Sequence, residues 1–135
     1  MEKIEHIGIA VSNLEQSNLL FTRLLGKPPY KIEEVASEGV RTSFFEVGGV
    51  KIELLEATHD ESPIAKFISK KGEGVHHLAF AVDDVKKSLT NHEANGFSLI
   101  NKEPKEGADN KMIGFLHPKS TNGVLVELCQ DKNKI

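Results

Sequence analysis

A single cysteine, Cys129, stands in the 135 residues, which excludes an internal disulfide and leaves no second thiolate to share a metal. Any metal site must therefore be built from nitrogen and oxygen. There is no basic excess either: 17 Lys and Arg are outnumbered by 20 Asp and Glu and lie scattered along the chain. That balance excludes a nucleic-acid or membrane-surface footprint and leaves a small molecule as the expected partner. No run of about 18 apolar residues occurs, and the N-terminus lacks the basic start and apolar stretch of a signal peptide. A soluble, cytoplasmic protein is expected. Low-complexity segments are missing too, and only the tail Asp131 to Ile135 reads as disordered.

A chain of this length buries enough surface for one domain with a real core, and its organisation is legible as an internal repeat. His6-Ile-Gly-Ile-Ala-Val11 aligns with His77-Leu-Ala-Phe-Ala-Val82. In each, large apolar residues alternate with histidine and small residues, so one strand face packs and the other leaves room. A helix follows each strand, the first opened by a Ser12/Glu15 capping box and closed at Gly26, the second starting near Asp83 or Asp84 and closing at Gly96. Strands then end each module: Val40 to Val47, a Gly48-Gly49 turn and Val50 to Glu56 in the first, Lys111 to Leu116 and Val124 to Gln130 in the second. Ser62-Pro63 opens a short helix between the halves. The expectation is an α+β fold, one domain of two tandem βαβββ modules at about 1–57 and 75–130, joined by a linking helix at 58–74, with a cupped mixed sheet around a metal site.

The repeat also carries chemistry. Val50-Lys-Ile-Glu53-Leu54 matches Val124-Leu-Val-Glu127-Leu128, so Glu53 follows His6 by 47 residues and Glu127 follows His77 by 50. Strand alternation takes both glutamates off the packing face. A lone strand histidine is ordinarily a satisfied core or edge residue and a lone strand glutamate a solvated one. Recurrence of the same two types at matched positions favours a metal held by His6 and His77 with one or both of Glu53 and Glu127. Nitrogen and oxygen donors of this kind suit Zn, Co, Ni, Mn or Fe better than Ca or Mg. Parity selects His77 over its neighbour His76; His59 and His92 read as surface residues, and His117 stays open.

The repeated His-Ile-Gly-Ile-Ala-Val and His-Leu-Ala-Phe-Ala-Val strands resemble the vicinal oxygen chelate superfamily, which includes the glyoxalases. Within it, Glu53-Leu-Leu-Glu, Ser62-Pro-Ile-Ala-Lys-Phe67, Gly72-Glu-Gly-Val-His-His77 and His117-Pro-Lys-Ser-Thr-Asn-Gly-Val-Leu-Val-Glu127 resemble the methylmalonyl-CoA epimerases. The resemblance spans nearly the whole chain. The Ser-Pro-Ile-Ala and His-Pro-Lys-Ser stretches are more specific than the strand motifs. It implies a divalent ion, often cobalt with Zn, Ni or Mn as alternatives, on His6, His77 and Glu127, with Glu53 equivalent to a further ligand. It also implies an acyl-CoA substrate inverted at C2 and a homodimer. Some members carry a glutamate base three residues past the glycine of the Glu-Gly-Val segment; here that residue is Thr42, taken as a candidate substrate contact.

Inversion needs a proton carrier on each side of a planar enolate. Glu127 is the first candidate, and Glu46, on the side of Thr42 and Phe44 by hairpin parity, is the candidate for the opposite face. Lys119, Ser120 and Thr121 are candidates for the CoA phosphates. Competing readings keep the site but change the chemistry, to a glyoxalase I-like lyase or an Fe(II) dioxygenase, or keep only the trough, as a small-molecule binding protein.

Overall fold

In the computed structural model, which describes residues 1–134, contacts divide the chain into two compact units. One comprises His6–His76; the other comprises Met1–Glu5 with His77 onward. Each repeats the order strand, helix, three strands. The first unit contains β1 (Lys3–Ala10) from His6, α1 (Leu14–Leu25), β2 (Lys31–Val35), β3 (Val40–Val47), β4 (Val50–Ala57) and the linking helix α2 (Pro63–Lys71). The second contains most of β5 (Gly74–Ala81), then α3 (Val85–Ala94), β6 (Lys105–Glu106), β7 (Lys111–Leu116) and β8 (Val126–Asp131).

Within the first unit the strand order is β2-β3-β4-β1, with β1 and β4 parallel and the rest antiparallel. The second repeats it as β6-β7-β8-β5, with β5 and β8 parallel. The packing faces are those expected from alternation. Val11, Leu14, Phe45 and Leu54 form a core beneath α1, joined by Ile9, Phe21, Leu25 and Ile52. Val82, Val85, Leu89, Leu116, Val126 and Leu128 form its counterpart beneath α3. A ten-residue helix such as α3 is marginal alone. Burying Leu89 completely contributes about 1.5–3 kcal/mol and ties the helix down.

The expected Gly48-Gly49 hairpin forms, with both glycines at positive φ, and Ser62 caps α2 by accepting from the N–H groups of Ile64 and Ala65. Asp84 caps α3. Several local expectations are corrected. Asn13, not Ser12, caps α1, because tertiary carboxylates take the neighbouring donors: Ser12 N–H donates to Glu73 at 2.7 Å and Leu14 N–H to Glu56 at 2.9 Å. β8 starts at Val126, since Val124 is turned back onto the Thr121 carbonyl. Neither β2 nor β6 stood out in the sequence; both are short, charged edge strands, the composition that discourages stray pairing. The tail is ordered through Asp131, which closes β8 opposite Lys111, and Lys132, which pairs with Glu106 at 2.7 Å. Ile135 lies outside the described residues. Among those residues no helix is long and apolar enough to cross a membrane.

Gly39 ends the 3-10 turn before β3 at φ +64, and a Cβ there would stand 2.8 Å from Ser62 Cβ and 2.9 Å from His59 Nε2. Gly26, at φ +79, has open space around it. Gly26→Ala is therefore expected to cost only the left-handed penalty, about 1–2 kcal/mol. Gly39→Ala is expected to cost about 1–3 kcal/mol more, from crowding against a packed cap. Thermal unfolding of the two variants measures the difference; equal losses would show that the loop gives way.

Candidate metal and acid-base site

The register of each sheet explains how a histidine and a glutamate far apart in sequence come together. Glu53 lies opposite Gly8 in the parallel β1–β4 ladder, and Glu127 lies opposite Ala79 in the parallel β5–β8 ladder. In both cases the opposing residue is small and sits two places after the histidine, on the same face. The imidazole therefore meets no bulky side chain on its way to the carboxylate. His6 Nδ1 stands 3.2 Å from Glu53 Oε2, and His77 Nε2 stands 3.2 Å from Glu127 Oε1.

All four side chains are buried, at 3–6% relative exposure. A buried carboxylate without compensation costs several kcal/mol, and the imidazole contact offsets part of that cost. The aromatic surroundings repeat as well. Phe44 faces Glu53 across β3–β4 and Phe115 faces Glu127 across β7–β8. The Phe115 ring meets the His77 ring edge-on, centroids 6.0 Å apart at 88°. A lysine from each edge strand covers the phenylalanine: Lys31 Nζ lies 5.3 Å from the Phe44 centroid and Lys105 Nζ 5.9 Å from that of Phe115. Nothing in the sequence marks these lysines, because their short, charged edge strands show no period; the alternation of Lys111–Leu116 against Glu127 is the signal for Phe115.

His76 points away from this arrangement and meets Phe67 of α2 edge-on at 5.0 Å. His59 packs over Gly39. His92 is half-buried, its Nδ1 2.6 Å from the Ser88 carbonyl, so it is less exposed than expected. His117 Nδ1 accepts from Lys119 N–H at 3.0 Å, which leaves the ring proton on Nε2.

Glu46 is in register with Lys51, on the face of Phe44 and Glu53, but at the hairpin end. Its side chain is 47% exposed, one oxygen accepts from Gly49 N–H at 2.7 Å and the other lies 3.5 Å from Lys27 Nζ. Thr42 shares that face and is wholly buried, its hydroxyl without a hydrogen-bond partner among the described residues. In the β7–β8 loop Lys119 is exposed. The Ser120 hydroxyl accepts from Ser98 N–H and donates to the His117 carbonyl, and that of Thr121 donates to the Val124 carbonyl.

Comparison with known proteins places this geometry in a lineage. The profile of the Glyoxalase/Bleomycin resistance protein/Dioxygenase superfamily matches residues 5–115. An uncharacterised protein of Bacillus subtilis, YqjC, is 39% identical over 98% of this chain and 94% of its own length. The mitochondrial methylmalonyl-CoA epimerase of Dictyostelium discoideum is 39% identical over 93% of this chain and 76% of its own. The solved structure of a Streptomyces coelicolor methylmalonyl-CoA epimerase variant, in complex with 2-nitronate-propionyl-CoA, superposes with a TM-score of 0.93. It is 33% identical over 97% of this chain and 95% of that one. With a profile match over most of its length and relatives aligned nearly end to end, the chain belongs to the glyoxalase/bleomycin resistance/dioxygenase superfamily and has the mixed α+β fold of paired βαβββ modules anticipated from its repeat.

Proposed function

We propose that this chain is a methylmalonyl-CoA epimerase in which His6, His77, Glu127 and Glu53 hold one divalent metal ion and the glutamates move the C2 proton. The observation that carries the reading is the recurrence of one buried His–Glu pair in both units, in a chain whose relatives bear that name. Two imidazoles and two carboxylates are the donor chemistry of a borderline divalent ion. We take that ion to be cobalt(II), as the motif resemblance implies, with zinc, nickel or manganese as substitutes.

The C2 hydrogen of a methylmalonyl thioester lies between two carbonyl groups and is acidic, yet its loss at neutral pH requires that the resulting enolate be stabilised. A divalent ion in the site supplies that stabilisation as a Lewis acid. The protein supplies the proton chemistry. Inversion removes a proton from one face of C2 and returns one to the other, so two carriers in opposite protonation states are needed. Glu127 serves one face. For the other we assign Glu53 rather than Glu46: it is the repeat equivalent of Glu127, buried and imidazole-paired, whereas the Glu46 carboxylate is occupied with its own turn. One glutamate, ionised, takes the C2 proton and becomes neutral. The other, protonated, gives its proton to the opposite face and becomes ionised. Exchange with water restores the starting states. His6 and His77 hold the two carboxylates in place, and Lys119, exposed in the β7–β8 loop, is assigned to the CoA phosphates.

A homodimer is part of the proposal. Leu19, Leu20 and Leu24 on α1 are more than half exposed, apolar area of the kind a subunit contact covers. Light scattering is expected to return twice the chain mass of 14.9 kDa.

The test is C2-hydrogen exchange of each methylmalonyl-CoA epimer in D₂O, followed by NMR. Protein stripped of metal is expected to be inactive and to recover with cobalt. His77→Ala is expected to lose stoichiometric metal, measured by elemental analysis, together with exchange. Glu127→Gln and Glu53→Gln are each expected to lose inversion by roughly 10²–10⁴-fold, while each retains exchange of one epimer, a different one in the two variants. Glu46→Gln is expected to leave both rates within about twofold, as for a group outside the proton path. Metal bound through His77 without exchange would keep the site and sink the substrate, leaving glyoxalase and dioxygenase assays as the next choice.

A further inference from the structure

The internal repeat brings the starts of the two helices α1 and α3 to equivalent places, and they differ in one respect. In the first unit Glu56 of β4 accepts from Leu14 N–H at 2.9 Å; in the second its repeat equivalent, Gln130 of β8, accepts from Val85 N–H at 2.9 Å. Their partners across the antiparallel ladders are Arg41 and Met112. Arg41 Nη1 lies 3.6 Å from Glu56 Oε1, so an ion pair stands beside the start of α1. The thioether of Met112 and the neutral amide of Gln130 make no such pair. Beside the start of α3 there is instead a cavity of about 360 Å³, in the size range of small-molecule sites, lined by Met112, Gln130, Pro104 and the segment from Asp83 to Lys86.

Gln130 is only 8% exposed. Its amide oxygen is taken by Val85 N–H, while its amide nitrogen, with two N–H donors, has no hydrogen-bond partner among the described residues. A donor so enclosed and without a protein partner marks a place for an acceptor. An anion is disfavoured, because Asp83 and Asp84 stand exposed at the mouth and the Lys86 ammonium is paired with Glu103. A purely apolar ligand leaves the amide unmet. Asp84 caps α3 through Lys87 N–H, so the Asp83 carboxylate, without an ion pair among the described residues, is the acceptor that the lining offers a ligand. Met112 and Pro104 add an apolar wall, and a thioether packs favourably on an aromatic ring. We propose that this cavity binds an aminopurine of the adenine type. A ring nitrogen accepts from the Gln130 amide, the adjacent exocyclic amino group donates to Asp83, and the ring rests on Met112. An amide donor beside a carboxylate acceptor is the complement of that edge. Met112 and Gln130 lie on the α3 side of the β7–β8 ladder, opposite Phe115 and Glu127, so the assignment does not rest on the epimerase reading.

The experiment titrates the full chain with adenosine, purine riboside and free CoA, read by NMR of the Val85 amide and the Met112 methyl and by calorimetry. Adenosine is expected to shift both signals and to bind about tenfold more tightly than purine riboside, which keeps the ring nitrogens but lacks the amino group. In Asp83→Ala that difference is expected to vanish, the sign that the amino group and Asp83 are partners. Asp83 is exposed, so this variant should melt within a degree or two of the wild type. Met112→Arg combined with Gln130→Glu rebuilds the ion pair of the first unit, keeps an acceptor for Val85 N–H and is expected to abolish the adenosine response. Displacement of adenosine by free CoA would identify the aminopurine as the adenine of CoA, and its absence a free nucleoside; either upholds the cavity as an aminopurine site. No shift at millimolar adenosine would overturn the assignment, as would equal affinity for purine riboside or binding that survives the double substitution.

Discussion

Four ionisable side chains buried on two strand faces are the constraint to which the rest of this structure answers. A carboxylate and an imidazole taken out of water are costly apart and only moderately compensated together, so the His6–Glu53 and His77–Glu127 contacts are a burden that a purely structural core would replace with apolar residues. Keeping them inside requires a small residue opposite each glutamate, a histidine two places before it, and a parallel ladder in register. Gly8 and Ala79 meet the first requirement. The helices meet the last, because α1 and α3 pack on the opposite face and leave the histidine face to its own chemistry.

The repetition extends further than the donors. Each glutamate faces a phenylalanine across an antiparallel pair, and each phenylalanine is covered by a lysine from a short edge strand. The two halves differ in what surrounds that lysine. Lys31 lies 3.4 Å from Glu33 of its own strand, and the strand of Lys105 is clamped by Glu106–Lys132 and by the close approach of Gly107 to Ile113.

Much of this was legible in the linear chain. Strand alternation around His6 and His77, the recurrence of Glu53 and Glu127, the Ser62-Pro63 helix start and the glycine turn at Gly48-Gly49 all rest on interactions between near neighbours or on side-chain period, and these are written locally. The choice of His77 over His76 followed from parity and from the repeat with His6; in the structure His76 meets Phe67 and His77 meets Glu127.

The sequence by itself determined the repeat, the class of the longer elements and the matched His and Glu positions of the two halves, because period and residue type are properties of a few adjacent positions. Only the tertiary structure decided which partners the polar groups take. Ser12 and Glu15 formed a plausible local cap until Glu73 and Glu56, 61 and 42 residues from the donors they reach, took the α1 N-terminus. Glu46 shares the parity of Thr42 and Phe44, and its carboxylate accepts from the Gly49 N–H at the hairpin end. Lys105 gained its place over Phe115 from an edge strand too short to show a period. Hydrogen bonds and ion pairs between distant segments depend on how strands align across the sheet, and that alignment is set by packing of the whole unit, which no local pattern records.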